Sequence, residues 1–247
     1  MLSFILILFV GIGAGFINVL AGGGSLLTMP MLIFFGLPSS VANGTNRIAL
    51  MAQNVVAIAS FRKEGYFDWK FSTMLAVPAL FGSLIGARFA ISLPDQLFNR
   101  ILSIVMLIVL AVIIWNPHKM ILNSSSPETF SRKMVLIVIF FFIGVYGGFI
   151  QAGVGFIIIA ALTLVSGLSL VKINSIKVFV VAIYTGSALI VFIVNNQIHW
   201  GYGLTLAVGT SIGAVVGSKF AVKGGEKWIQ RILVVSVLIM AIKLFFT

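Results

Sequence analysis

The chain has 247 residues, 60% of them hydrophobic and 9% charged, with a mean hydropathy of +1.20. That is more apolar surface than a soluble core of this size can bury, which excludes a water-soluble protein and points to a single integral membrane domain whose first partner is the lipid bilayer. The net charge of +11 has the sign of a nucleic-acid binder, but the Lys and Arg residues stand mostly in short connections between apolar runs, where they signal membrane orientation, so no nucleic acid is expected.

In chain order, residues 2–20 form an apolar run with no Lys or Arg before it and glycines rather than a cleavage site after it, which reads as a retained segment and not a signal peptide. Gly22-Gly23-Gly24-Ser25 breaks the run. The piece that follows, Leu26–Phe35, ends at Gly36-Leu37-Pro38; with its flanks it makes about 22 Å of helix against a hydrocarbon core of about 30 Å. Asn43–Phe61 carries polar residues inside it (Asn46, Arg47, Gln53, Asn54) and closes on the charged turn Arg62-Lys63-Glu64-Gly65. Phe71–Ser92, with Gly82 and Gly86 at the small-xxx-small spacing of close helix packing, and Ile101–Trp115 complete the half.

The second half repeats the first. A shift of 131 carries Gly22 to Gly153, Gly24 to Gly155, Gly36 to Gly167, Asn43 to Asn174, Trp69 to Trp200, Gly82 to Gly213, Gly86 to Gly217 and Arg100 to Arg231; upstream of the glycines a two-residue gap matches Gly11 and Gly15 to Gly144 and Gly148. The chain divides into repeat one (about 1–116), a linker (about 117–133) and repeat two (about 134–247), an arrangement typical of secondary transporters.

Charge placement selects the relative orientation of the halves. With five membrane-embedded pieces per half, one face collects Arg62, Lys63, Lys70, Lys119, Arg132, Lys133, Lys172, Lys177, Lys219, Lys223, Lys227 and Arg231, against Arg47, Arg88, Arg100 and Lys243 on the other. Twelve against four is a clear positive-inside bias, whereas four spans per half would divide the charges almost evenly. The expected fold is therefore all-α and polytopic, with two tandem inverted repeats and glycine-broken short segments. If the first two pieces of each half form a hairpin reaching only the midplane, the parity is unchanged and the two glycine breaks approach each other from opposite faces.

A glycine-rich break that opens into a helix offers free backbone N–H groups and the positive end of a helix dipole, the elements of an anion site. The candidate substrate-binding residues are Gly22, Gly23 and Gly24, with Ser25 and Thr28 in the turn after them, and Gly153 and Gly155 in the second copy. Arg47 and Lys177 join them because a cation within a span either serves a substrate or snorkels to the interface, and Asn46, the repeat mate of Lys177, stands beside Arg47. Gln53, Asn54 and Gln151 are uncharged donors that either line a path or bond between helices. The five acidic residues, Glu64, Asp68, Asp95, Glu128 and Glu226, all fall in loops or at segment ends, which leaves no mid-span carboxylate for proton relay or cation binding. No Walker loop, metal-ligand spacing or catalytic triad is present, so neither enzymatic activity nor a cofactor is expected.

Gly11-Ile-Gly-Ala-Gly15 leading to Gly22-Gly-Gly-Ser25 and Pro30, then Ala42-Asn-Gly-Thr-Asn-Arg47 with Gln53, resembles the TauE/SafE sulfite exporter family, also called the toluene sulfonate uptake permease family. Gly147-Gly148, Gly153-Val-Gly155, Asn174-Ser-Ile-Lys177 and Gly213 through Lys219 resemble its second repeat, with Ala161 where the repeat would place a counterpart of Pro30. The resemblance implies a permease of the bacterial or archaeal inner membrane for sulfur-containing anions such as sulfite, sulfonates or sulfoacetate. The missing carboxylate favours export, which an interior-negative potential drives without a coupled ion. An ion-coupled importer, an anion channel and a non-transporting membrane partner stay open as alternatives, and the sequence carries no signal for an oligomeric state.

Overall fold

In the computed structural model, residues 2–115, 130–166 and 168–221 are described, and among them every regular element is an α-helix. Repeat one supplies α1 (Leu2–Ala21), α2 (Ser25–Phe34), α3 (Ser39–Lys63), α4 (Trp69–Ser92) and α5 (Asp95–Trp115). Repeat two supplies α6 (Phe130–Phe149), α7 (Val154–Ser166), α8 (Leu170–Val194) and α9 (Trp200–Ala221). Residues 116–129 of the expected linker, the mates Gly167 and Arg231, and the last apolar run of repeat two lie outside the described residues. Four of the described helices, α1, α4, α8 and α9, are long and apolar enough to cross a bilayer.

The boundaries follow local chemistry. Helix α1 stops because Gly22 turns left-handed (φ 82°) while its N–H still bonds the Asn18 carbonyl at 2.8 Å. Asp68 caps α4 by accepting from the Phe71 N–H at 3.1 Å. Helix α3 begins at Ser39, earlier than the expected Asn43, because Asp95 at the start of α5 accepts its N–H at 2.9 Å and Asn99 accepts its hydroxyl at 2.8 Å. Likewise α6 begins at Phe130, inside the stretch expected to be linker.

Helices α1 and α2 form a hairpin, since Ile7 near the start of α1 packs with Met31 and Leu32 near the end of α2. With ten residues, α2 returns about 15 Å, half the hydrocarbon core. Helices α6 and α7 repeat the arrangement, with Leu136 and Phe140 packed beside Ile158 and Leu162.

Around the hairpins, helix directions fall into two sets. Helix α9 runs parallel to α1, with Phe4 on Tyr202 and Phe16 on Phe220, and parallel to α3, with Thr45 bonded to the His199 N–H and Ser60 to Ser218. Helix α4 runs parallel to α6, with Ala79 on Gly144 and Ser83 on Gly148, and parallel to α8, with Trp69 on Phe179 and Ser83 bonded to Ser187. The sets meet at α3 and α8, which are antiparallel: Ser40 near the start of α3 bonds Gln197 just past the end of α8, and the Tyr66 carbonyl just past α3 accepts from Ser175 near the start of α8. The repeat mates α1 and α6, α3 and α8, and α4 and α9 thus point in opposite directions.

Repeat-related glycines form the seams. Gly82 and Gly86 of α4 lie against the α6 backbone at Phe141 and Val145, while Gly213 and Gly217 of α9 lie against the α1 backbone at Ile12 and Phe16. A side chain at Gly82, Gly86 or Gly213 would overlap a carbonyl of the facing helix, so these contacts are backbone to backbone.

Candidate functional site

The two hairpin tips meet. The Cα of Gly22 packs directly on that of Gly155, and a Cβ on either residue would overlap the other's backbone. The first break therefore has two reasons for glycine at position 22, a positive φ and a neighbour with no room to move. The second break bends differently: Gln151 takes a left-handed conformation (φ 67°) at the end of α6, followed by Gly153 (φ 75°). Asn18 braces the first tip by accepting the Gly24 N–H on its side-chain oxygen at 3.3 Å, whereas α2 has no side-chain cap of its own from Gly24. The Thr28 hydroxyl does not cap the helix; it donates to the Asn46 side-chain oxygen at 2.6 Å, joining α2 to α3.

Each tip also holds the C-terminus of a long helix, whose last carbonyls carry partial negative charge. A buried cation from the other half covers each. Lys177 of α8, 2% exposed, donates to the Asn18 and Val19 carbonyls at the end of α1 (3.2 and 3.0 Å) and to Asn174 Oδ1 (2.7 Å). These acceptors match the three donors of an ammonium group. Arg47 of α3, 0% exposed, donates to the Gly147 and Gly148 carbonyls near the end of α6 (3.2 and 2.6 Å) and to Asn43 Oδ1 (3.2 Å), with its guanidinium 4.7 Å from the Phe192 ring centroid. The repeat mates Asn43 and Asn174 act alike, each accepting from its cation and donating to a carbonyl of the same helix end, Phe149 or Leu20. The cations thus sit on the carbonyl ends of α1 and α6, while the N-termini of α2 and α7, which carry partial positive charge, open at the same tips.

A narrow cavity of about 10 Å³, room for about one water molecule in this conformation, lies beside the Gly22–Gly155 contact. Its lining is Asn18, Gly22 and Ser25 from the first hairpin, Gln151, Val154 and Gly155 from the second, Leu50 and Asn54 from α3, and Lys177, Val181 and Tyr184 from α8. Of the residues expected to bind substrate, Gly22, Ser25, Gln151, Gly155 and Lys177 line it. Gly23, Gly24, Thr28, Asn46, Arg47, Gln53 and Gly153 do not; Gly24 is packed against Ala14 and Asn18, and Arg47 lies on the α6 carbonyls. Several buried side-chain atoms in this region have no hydrogen-bond partner: Asn46 Nδ2, Arg47 Nε, Gln53 Nε2, Gln151 Oε1 and the Tyr184 hydroxyl.

Asn18 and Tyr184 were absent from the expected binding set, and Asn54 was expected only as a group that lines a path or bonds between helices. The repeat offset that paired Asn46 with Lys177 also pairs Leu50 with Val181, Gln53 with Tyr184 and Asn54 with Thr185, and the upstream offset of 133 pairs Asn18 with Gln151. Two of these pairs line the cavity with both members, Leu50 with Val181 and Asn18 with Gln151, whereas Lys177, Tyr184 and Asn54 line it without their mates.

The family model described as "Sulfite exporter TauE/SafE" matches residues 7–244. The chain is 27% identical over 234 residues to "Probable membrane transporter protein ORF9" of Sinorhizobium sp., covering 94% of this chain and 88% of that protein. It is 25% identical over 237 residues to "Probable membrane transporter protein" of Haemophilus influenzae, covering 96% and 92%, and 25% identical over 242 residues to "Probable membrane transporter protein YfcA" of Escherichia coli K12, covering 96% and 88%. No solved structure gives a significant match. A family match over nearly the whole chain, on an all-helical protein with several apolar spans, makes this a multi-pass membrane transporter that belongs to the TauE/SafE family.

Proposed function

We propose that the protein is a secondary transporter moving small sulfur-containing anions, such as sulfite, sulfonates or sulfoacetate, outward across the cytoplasmic membrane. The observation that carries this reading is the cavity where the hairpin tips meet: an ammonium group, uncharged polar side chains and two helix N-termini surround it, and no carboxylate of the described residues lines it. Such a lining favours a negative ligand on every electrostatic count. The family description supports sulfur oxyanions as the cargo.

The opposed directions of α3 and α8 support inverted repeats, with the cavity close to the axis relating them. In this reading the halves rock about the Gly22–Gly155 contact and open the cavity to each side in turn. Export needs no second ion, because an interior-negative potential drives each negative charge outward by about 2.3 kcal/mol per 100 mV. The end of the molecule holding Arg62, Lys63 and the start of α8 is cytoplasmic, following the positive-inside bias.

The test is counterflow in proteoliposomes. Labelled sulfite outside should be drawn in faster when the lumen holds unlabelled sulfite or methanesulfonate, the signature of a carrier with one alternating site. A steady anion current without such exchange would indicate a channel, and no uptake under any gradient would remove the assignment.

A further inference from the structure

We infer that Tyr184 supplies the direct hydrogen bond to the transported anion. The inference rests on the carrier reading above and assigns a residue outside the expected binding set. Tyr184 is fully buried in α8 and is one of the residues lining the cavity, and its hydroxyl, beside Gly147 and the Gln151 side chain, makes no hydrogen bond of full geometry among the described residues. A buried hydroxyl without a partner is destabilising, and an anionic oxygen entering the cavity is the acceptor that would relieve it.

The neighbouring groups sharpen the assignment. Lys177 already uses three donors on Asn18, Val19 and Asn174. Asn54 Nδ2 donates to the Leu50 carbonyl at 2.7 Å, and Gln151 Nε2 donates to the Thr185 hydroxyl at 3.0 Å. Lys177 therefore contributes charge, and the phenol contributes a directional bond beside the second N–H that each of the Asn54 and Gln151 amides retains.

The ring is also held in place. The Ser83 and Ser187 hydroxyls bond each other and lie 3.0 and 2.9 Å from the Tyr184 carbonyl, which accepts from the pair and ties α8 to α4 at this level. Gly147 leaves room for the ring: a Cβ there would fall 2.8 Å from Tyr184 Cε2 and 3.1 Å from its hydroxyl. An anion thus meets a donor whose position is set before it arrives.

Tyr184→Phe keeps the ring and removes only the unpaired hydroxyl. Sulfite and methanesulfonate binding to the purified protein in detergent, measured by calorimetry, should weaken about 10- to 100-fold, the range for a hydrogen bond to a charged group, while the thermal midpoint without ligand stays the same or rises. Gly147→Ala, which pushes the ring from its place, should weaken binding in the same direction. Unchanged affinity in Tyr184→Phe would overturn the assignment while leaving the carrier reading intact. A lowered midpoint would also overturn it, by showing that the hydroxyl has a structural partner. If the wild-type protein bound neither anion, the assignment and the carrier reading would fall together, whereas wild-type binding without counterflow would remove the carrier reading alone.

Discussion

Replacing each buried cation by methionine separates the two jobs a positive charge can have here. Lys177→Met leaves the Asn18 and Val19 carbonyls and Asn174 Oδ1 without their donor, and Arg47→Met does the same to the Gly147 and Gly148 carbonyls and Asn43 Oδ1. Leaving a buried acceptor unsatisfied costs about 1–3 kcal/mol, so both variants should lose a similar part of their stability. Their effects on substrate should differ. Lys177 lines the cavity and Arg47 does not, so Lys177→Met also removes the one charged side chain that the described residues bring to the lining. The assay is thermal unfolding in detergent alongside the KM for sulfite in proteoliposomes at a temperature where both variants are folded. The expected outcome is a lower midpoint for both, with a KM raised at least tenfold for Lys177→Met and within about threefold of wild type for Arg47→Met, where tenfold corresponds to about 1.4 kcal/mol. Equal increases in KM would refute the distinction between a cation that faces substrate and one that holds a helix end.

Three further outcomes follow from the fold. Gly155→Ala, at a position without a positive φ, should drive the tips apart at a cost of about 1–3 kcal/mol and abolish exchange, read as a lower thermal midpoint together with lost counterflow. Gly86→Val, which places a branched side chain on the Val145 carbonyl, should separate α4 from α6 and reduce folded protein recovered from membranes, whereas Gly13→Ala, in open space, should leave recovery unchanged. Reporter fusions after Lys63 and Lys133 should report the cytoplasm and one after Thr247 the outside; a cytoplasmic report after Thr247 would contradict the inverted arrangement.

Much of the architecture is legible in the sequence because membrane helices announce themselves by length and apolarity, and because duplication repeats the glycines that backbone contact requires. Gly82 and Gly86 read as packing glycines from their spacing, and they pack on α6. The approach of the two breaks was expected only if the first two pieces of each half formed a hairpin, and Gly22 meets Gly155. Helix starts were less legible where the cap is remote: nothing near Ser39 shows that Asp95, 56 positions later, extends α3 by accepting its N–H.

The site was legible in outline only, since a sequence shows which donors exist and not where they are used. Arg47 and Lys177 look equivalent as buried cations, and only their contacts reveal that one borders the cavity. Asn18 is hidden in an apolar run, and Tyr184 reads as one more aromatic on a hydrophobic helix until its hydroxyl is found buried without a partner. The repeat pairing of Gln53 with Tyr184 was the available signal, and it gains meaning only once α3 and α8 are known to face each other.

The central claim, that the cavity at the hairpin tips carries sulfur oxyanions outward, is tested most directly by net efflux of sulfite from loaded proteoliposomes with and without a lumen-negative potential. Saturable efflux that the potential accelerates and Lys177→Met slows at subsaturating sulfite is the predicted result. Efflux of no sulfur anion at any potential, or efflux indifferent to Lys177, would contradict it.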